Sequence, residues 1–166
     1  MPPDVIHGAN IRHFPKLDEP RPKFLGFRLD GESRNDRAGA SVSGGGDLNG
    51  DGYADIVIGA PKANVPASDS GAAYVVYGGT SSGAAIGALE PVTSGAAGLD
   101  GHNGYRIDGI LIDDRAGNSV ALLGDVDGDG FDDLLIGAPF NDSAANDAGA
   151  AYLLFGAATV PNTLAN

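Results

Sequence analysis

Apolar positions along this chain fall in short runs separated by stretches rich in Gly, Asp and Ser. Residues 55–60 (Asp-Ile-Val-Ile-Gly-Ala) and 133–138 (Asp-Leu-Leu-Ile-Gly-Ala) are nearly continuous apolar runs, closed by Pro61 and Pro139. They are too short for helices and read as strands buried on both faces. Residues 72–77 and 150–155, Ala-Ala-Tyr followed by three apolar positions, have the same character. Phe27-Arg-Leu-Asp and Tyr105-Arg-Ile-Asp alternate apolar with polar, the pattern of a half-exposed edge strand. Residues 40–43 (Ala-Ser-Val-Ser) and 118–121 (Asn-Ser-Val-Ala) are built from small residues, which suits a strand at a crowded centre. No apolar run approaches the ~18 residues a membrane helix needs.

These runs come in pairs. Gly26–Gly79 aligns on Gly104–Ala157 at a constant offset of 78 without a gap, and 27 of the 54 positions are identical. The differences preserve shape: Phe27/Tyr105, Leu29/Ile107, Tyr53/Phe131 and Tyr77/Phe155. A period of this size marks a duplicated supersecondary unit of four strands. The division expected is an N-terminal arm at 1–25, a first repeat with linker at 26–103, a second repeat at 104–157 and a tail at 158–166. A helical turn at Ala84–Glu90 interrupts an otherwise loop-like linker.

Composition agrees with short strands and tight turns. The chain has 27 Gly in 166 residues, and each interior Gly costs a helix roughly 1 kcal/mol. Its net charge is −12, which argues against nucleic acid and anionic membrane surfaces as partners. Of 22 acidic residues only Glu19, Glu32 and Glu90 are Glu; the rest are Asp, the residue of tight turns and hard-cation loops. The absence of Cys excludes disulfides, thiolate zinc and thiol catalysis. Met1-Pro-Pro-Asp4 carries neither a basic nor an apolar leader segment.

The Asp residues concentrate in two loops between the first and second strands of each unit. Asp47-Leu-Asn-Gly-Asp-Gly-Tyr-Ala-Asp55 and Asp125-Val-Asp-Gly-Asp-Gly-Phe-Asp-Asp133 share the form D-x-[DN]-x-D-G-x-x-D. Oxygen ligands at positions 1, 3, 5 and 9, a carbonyl at 7 and a turn-permitting Gly at 6 suit Ca²⁺. The ligands expected are Asp47, Asn49, Asp51, the Tyr53 carbonyl and Asp55 in one loop. In the other they are Asp125, Asp127, Asp129, the Phe131 carbonyl and Asp133. An EF-hand needs a Glu at position 12 and a following helix; here Ile58 and Ile136 stand there, inside strands. Three carboxylates crowd the first loop and four the second, so a cation is expected to stabilise both, the second more tightly.

Other chemistry is sparse. His7, His13 and His102 have no ligand spacing, and neither a phosphate-binding loop nor a Gly-x-Ser-x-Gly elbow occurs. Acid pairs are used by glycosidases, but the close pairs here repeat, whereas an active site is normally single. Asp36-Arg37 and Asp114-Arg115 also repeat and read as an ion pair or a turn brace. Asn141-Asp-Ser143 is a formal glycosylation sequon.

The motifs Arg37-Ala-Gly-x-Ser-Val, Gly46-Asp-x-Asn-Gly-Asp-Gly, Asp55-Ile-Val-Ile-Gly-Ala-Pro61 and Gly71-Ala-Ala-Tyr-Val-Val-Tyr-Gly78, with their second copies, resemble the FG-GAP repeat of integrin α-subunit β-propellers and their bacterial relatives. The resemblance implies an all-β fold of four-stranded antiparallel blades, usually seven, with calcium loops on one rim. It implies one complete blade at about 38–109, closed by the Tyr105 strand, and three strands of a second at about 116–157. It also implies a non-enzymatic, calcium-binding module of an extracellular or cell-surface protein used in cell adhesion or in binding a protein or glycan. The alternative is a propeller accessory to a secreted enzyme. The Phe27 strand is spare and the second blade is short by one strand, so a head-to-tail homo-oligomer, a trimeric or tetrameric ring, is a further expectation.

Overall fold

The computed structural model describes residues 28–79, 99 and 101–158; the N-terminal arm, Phe27 and the Ala84–Glu90 turn lie outside these. Seven strands occur among the described residues: β1 (Ser41–Gly44), β2 (Ile56–Ala60), β3 (Ala72–Val76), β4 (Gly104–Asp108), β5 (Ser119–Leu122), β6 (Leu134–Ala138) and β7 (Ala150–Leu154). All neighbours pair antiparallel, in the orders β1-β2-β3-β4 and β5-β6-β7, and no helix is found among the described residues. The strand boundaries fall within a residue of those expected.

The sheet order answers how the repeat maps onto blades. β4 belongs to the second repeat, yet it pairs with β3 of the first, with Tyr74 opposite Arg106 and Val75 opposite Tyr105. The first sheet is therefore a four-stranded blade closed by the unit that follows it, as the resemblance implies. In the second sheet three strands are described. The expected edge strand at 27–30 is reduced, within the described residues, to a single bridge at Asp30.

Side-chain alternation then decides what lies between the sheets. Val57, Ala73, Val75 and Ile107 face Leu134 and Ile136 in one buried cluster, which Leu48, Tyr105, Ala116 and Ala138 complete. Val120, Leu122, Tyr152 and Leu154 pack against it from the second sheet. Each Val, Leu or Ile side chain among them, when fully buried, contributes about 1.5–3 kcal/mol. The other face of the first sheet carries a second cluster of Ile58, Ala60, Ala63, Ala72, Tyr74, Val76 and Leu99, with Leu29 and Ala38 against it.

The sheets approach closely because small residues line β1 and β2. The Ser41 hydroxyl donates to the Gly117 carbonyl at 2.9 Å, and the Leu122 amide donates to Ser43 Oγ at 2.9 Å. A Cβ at Gly59 would stand 2.0 Å from the Gly117 carbonyl oxygen, so this position admits no side chain.

Candidate metal centre

Each acidic loop bridges two strands, β1 to β2 and β5 to β6, and folds on its own carboxylates. Asp47 Oδ1 accepts from the Asp51 amide at 3.0 Å and its Oδ2 from the Gly52 amide at 2.8 Å. Asn49 Oδ1 accepts from the Asp51 amide at 3.2 Å, and Asp51 Oδ1 from the Tyr53 amide at 2.9 Å. The second loop repeats this scheme. Asp125 takes the Asp129 and Gly130 amides at 3.1 and 2.9 Å, Asp127 takes Asp129 at 3.2 Å, and Asp129 takes Phe131 at 2.9 Å. Oxygen side chains at alternate positions thus bend the chain inward by binding amides two to five residues ahead, the local chemistry of Asx turns.

Position 9 differs from the others: Asp55 and Asp133 are both fully buried. Asp55 Oδ2 accepts from Leu48 at 2.8 Å and Oδ1 from Gly78 at 2.9 Å; Asp133 accepts from Val126 at 2.7 Å and Gly156 at 3.0 Å. Each carboxylate therefore ties the start of its loop to the end of the third strand. Burial pushes the Asp55 carboxyl above its ordinary value; the Gly78 and Leu48 amides oppose this, and the charges of Asp51 and Asp47 add to it.

In the second loop, carboxylate oxygens of Asp125, Asp127 and Asp133 lie within 4.8 Å of one another, the one such acidic trio among the described residues. Asp129 stands outside this trio, its Oδ1 on the Phe131 amide. In the first loop the three carboxylates do not converge to the same degree. Asn49 takes the third position, and its amide group donates to Asp51 Oδ2 at 3.1 Å. Three of the four carboxylates of the second loop thus converge, and those of the first loop do so less closely. Desolvation, then the charges of Asp129, Asp133 and Asp125, raise the Asp127 carboxyl despite its bond to the Asp129 amide. The donor set is all oxygen and strongly anionic, which fits a hard cation such as Ca²⁺ and no soft metal.

The two loops also grip each other. Asp132, at position 8 of the second loop, accepts from the Asp47 amide at 2.8 Å, and its own amide donates to the Asp47 carbonyl at 3.0 Å. The Phe131 ring lies over Gly50, where a Cβ would sit 2.6 Å from the ring. Sequence reasoning passed over Asp132. Its signal was that position 8 is Ala54 in the first loop, a difference that changes charge inside an otherwise matched motif.

Of the two readings of Asp36-Arg37 and Asp114-Arg115, the structure shows the turn brace. Asp36 and Asp114 are buried but form no ion pair with Arg37 and Arg115; they brace turns, accepting from the Ser33 amide at 2.8 Å and the Leu111 amide at 3.3 Å. The neighbouring arginines, Arg37 and Arg115, take left-handed backbone angles of 59° and 55°. Arg115 lies over the Phe140 ring at 4.3 Å. The sequon residue Asn141 is buried, and its amide nitrogen donates to Asp114 Oδ2 at 2.8 Å and to the Tyr152 hydroxyl at 3.1 Å, so it is no surface acceptor.

An antiparallel sheet that borrows its outer strand from the next repeat, packed against a second sheet of the same order, each with an acidic loop between its first two strands, has the arrangement of consecutive β-propeller blades. The family described as FG-GAP repeat matches residues 38–76 and 116–154, and the chain carries two FG-GAP repeats. It is 35% identical to integrin alpha-4 of Xenopus laevis over 113 residues, covering 68% of this chain and 9% of that protein. It is 30% identical to integrin alpha-V of Gallus gallus over 71% of this chain and 10% of the relative, and 36% identical to integrin alpha-7 of Mus musculus over 57% and 7%. The chain therefore spans about a tenth of the length of the integrin α relatives it matches.

Proposed function

We propose that this chain is a calcium-binding, non-enzymatic β-propeller module of an extracellular or cell-surface protein, acting in adhesion or in binding a protein or glycan ligand. The observation that carries the calcium reading is the convergence of Asp125, Asp127 and Asp133 in an all-oxygen loop. Asp125, Asp127, Asp129, the Phe131 carbonyl and Asp133 would hold one ion; Asp47, Asn49, Asp51, the Tyr53 carbonyl and Asp55 would hold a second. The ion would supply positive charge among carboxylates that otherwise repel. Because the folded chain assembles these ligands and the unfolded chain does not, calcium stabilises the fold by mass action. The adhesive role is supported by the integrin α relatives. The non-enzymatic reading is supported by repetition, since each acidic loop has a twin 78 residues away.

Calorimetric titration with Ca²⁺, paired with thermal melting in calcium and in chelator, tests the reading. Two sites are expected, the tighter one lost in Asp125→Ala, together with a clear drop in melting temperature on chelation. No binding heat and one melting temperature under both conditions would overturn it.

A further inference from the structure

The two acidic loops meet in one direction, the last positions of the second against the first positions of the first. Asp132 grips Asp47 twice, its carboxylate accepting from the Asp47 amide at 2.8 Å and its amide donating to the Asp47 carbonyl at 3.0 Å. Asp47 is the first expected ligand of its loop. Asp132 stands between Phe131 and Asp133, two expected ligands of the other. Gly46 leaves room for this grip, since a Cβ there would stand 3.2 Å from the Asp132 carboxylate.

A second route joins the two buried carboxylates. Asp133 Oδ1 accepts from the Gly156 amide at 3.0 Å, and the next amide, of Ala157, donates to the Leu48 carbonyl at 3.0 Å. The Leu48 amide in turn donates to Asp55 Oδ2 at 2.8 Å. Leu48 is 1% exposed and belongs to the core between the sheets. Gly156 is wedged between the loops: a Cβ would stand 2.2 Å from the Asp132 carbonyl oxygen and 2.9 Å from that of Leu48. Interiors packed this closely transmit displacement. The Phe131 ring over Gly50 is a third contact.

From these contacts we infer that the two calcium sites are coupled, occupancy of the second loop raising the affinity of the first through Asp132 and the Gly156–Ala157 segment. This rests on the calcium reading and adds to it how one site regulates the other. In the empty second loop the carboxylates of Asp125, Asp127 and Asp133 converge within 4.8 Å and repel. With that loop occupied, the Phe131 carbonyl and the Asp133 carboxylate are fixed on either side of Asp132. Asp132 and Gly156 are then fixed with them. Asp132 holds Asp47, and Leu48 carries the constraint on to Asp55. Two ligands of the first site are thereby set in place in advance, and less ordering remains for binding.

The coupling is reciprocal, so an occupied first loop tightens the second by the same factor. Charge acts the other way, because two cations repel. The second loop carries five carboxylates, Asp132 included, which outweigh one divalent ion, and salt screens charges more than about 8 Å apart. The ordering effect is therefore expected to win.

Calorimetric titration of the whole chain with Ca²⁺ tests this on the wild type, Asp125→Ala, Asp132→Ala and the double variant, each checked for folding by circular dichroism. Asp125→Ala removes the second site, and the first is then expected to bind about 5-fold or more weakly than in the wild type. Asp132→Ala is expected to weaken the first site while keeping the second, and in the double variant the two losses are expected not to add. Amide exchange gives a readout that needs no variant. At one equivalent of Ca²⁺ the Asp47 and Ala157 amides are expected to slow together with those of Asp129 and Gly130, ahead of the Asp51 and Gly52 amides within the first loop. A first site unchanged or tightened by Asp125→Ala would overturn the inference. So would losses that multiply in the double variant, or Asp47 and Ala157 amides that slow only with Asp51 and Gly52. Two independent sites would overturn the coupling and leave the calcium reading standing, whereas a wild type that binds no Ca²⁺ would overturn both.

Discussion

Asp132 and Asp47 are joined twice: the Asp47 amide donates to the Asp132 carboxylate at 2.8 Å, and the Asp132 amide donates to the Asp47 carbonyl at 3.0 Å. One residue of the second acidic loop therefore sets the position of the first residue of the other. Asp132→Ala leaves the Asp47 amide without its charged partner, a loss of about 1–3 kcal/mol. Chemical denaturation is expected to show it, and calcium titration to show the first loop weakened more than the second. Ala54→Asp, the mirror substitution at an exposed position, is expected to leave stability within about 0.5 kcal/mol.

Asp55 separates the structural role of these loops from the metal role. Both its oxygens accept backbone amides, from Leu48 and Gly78, at a fully buried position. Asp55→Asn keeps the size but turns one acceptor into a donor facing an amide. The expected cost is about 1.5–3 kcal/mol, present in chelator as well as in calcium. Equal stability of wild type and variant in chelator would show that the residue matters only through an ion.

The strands and loops were legible because the chain states each of them twice. Matching Ile56-Val-Ile-Gly-Ala with Leu134-Leu-Ile-Gly-Ala fixed a pair of strands that either alone would leave ambiguous with helix. The borrowed β4 was legible only through the family resemblance, since nothing local to Tyr105 says which sheet it joins. What stayed hidden depends on distant partners. Asp133 looked like one more loop carboxylate, yet its second amide comes from Gly156, 23 residues on. The sequon at Asn141 satisfied a local rule, while its burial against Asp114 and Tyr152 is a property of the packed blade.

Asn141 also accounts for a difference between the repeats. It donates to Asp114 and to the Tyr152 hydroxyl, whereas the matching residue of the first repeat is Ala63, fully buried and apolar. Asn141→Ala removes a partner from a buried carboxylate and opens a small void. A loss of about 1–3 kcal/mol is expected in denaturant melts. Asn141→Asp is expected to cost at least as much, since it sets a second carboxylate 2.8 Å from the first.

Asp36 lacks the Asn141 amide that Asp114 Oδ2 receives, and its Oδ1, like that of Asp114, is buried with no hydrogen-bond partner. Burial raises its carboxyl above the ordinary value of 3.8, the Ser33 amide opposes this, Glu32 adds to the rise and Arg106 opposes it. In the folded chain the proton is therefore held more tightly than in the unfolded chain. Between the unfolded and folded values the folded state binds more protons, so this group's contribution to stability falls as pH rises through that window. Above the folded value the full penalty of a buried charge is present. Asp36→Asn removes that charge, so the variant is expected to gain on the wild type at neutral pH. Urea melts at pH 7, 6, 5 and 4 are expected to show the gap narrowing on acidification. A gap that stays constant, or widens toward pH 4, would show that the Asp36 carboxyl titrates alike in both states or in the opposite sense.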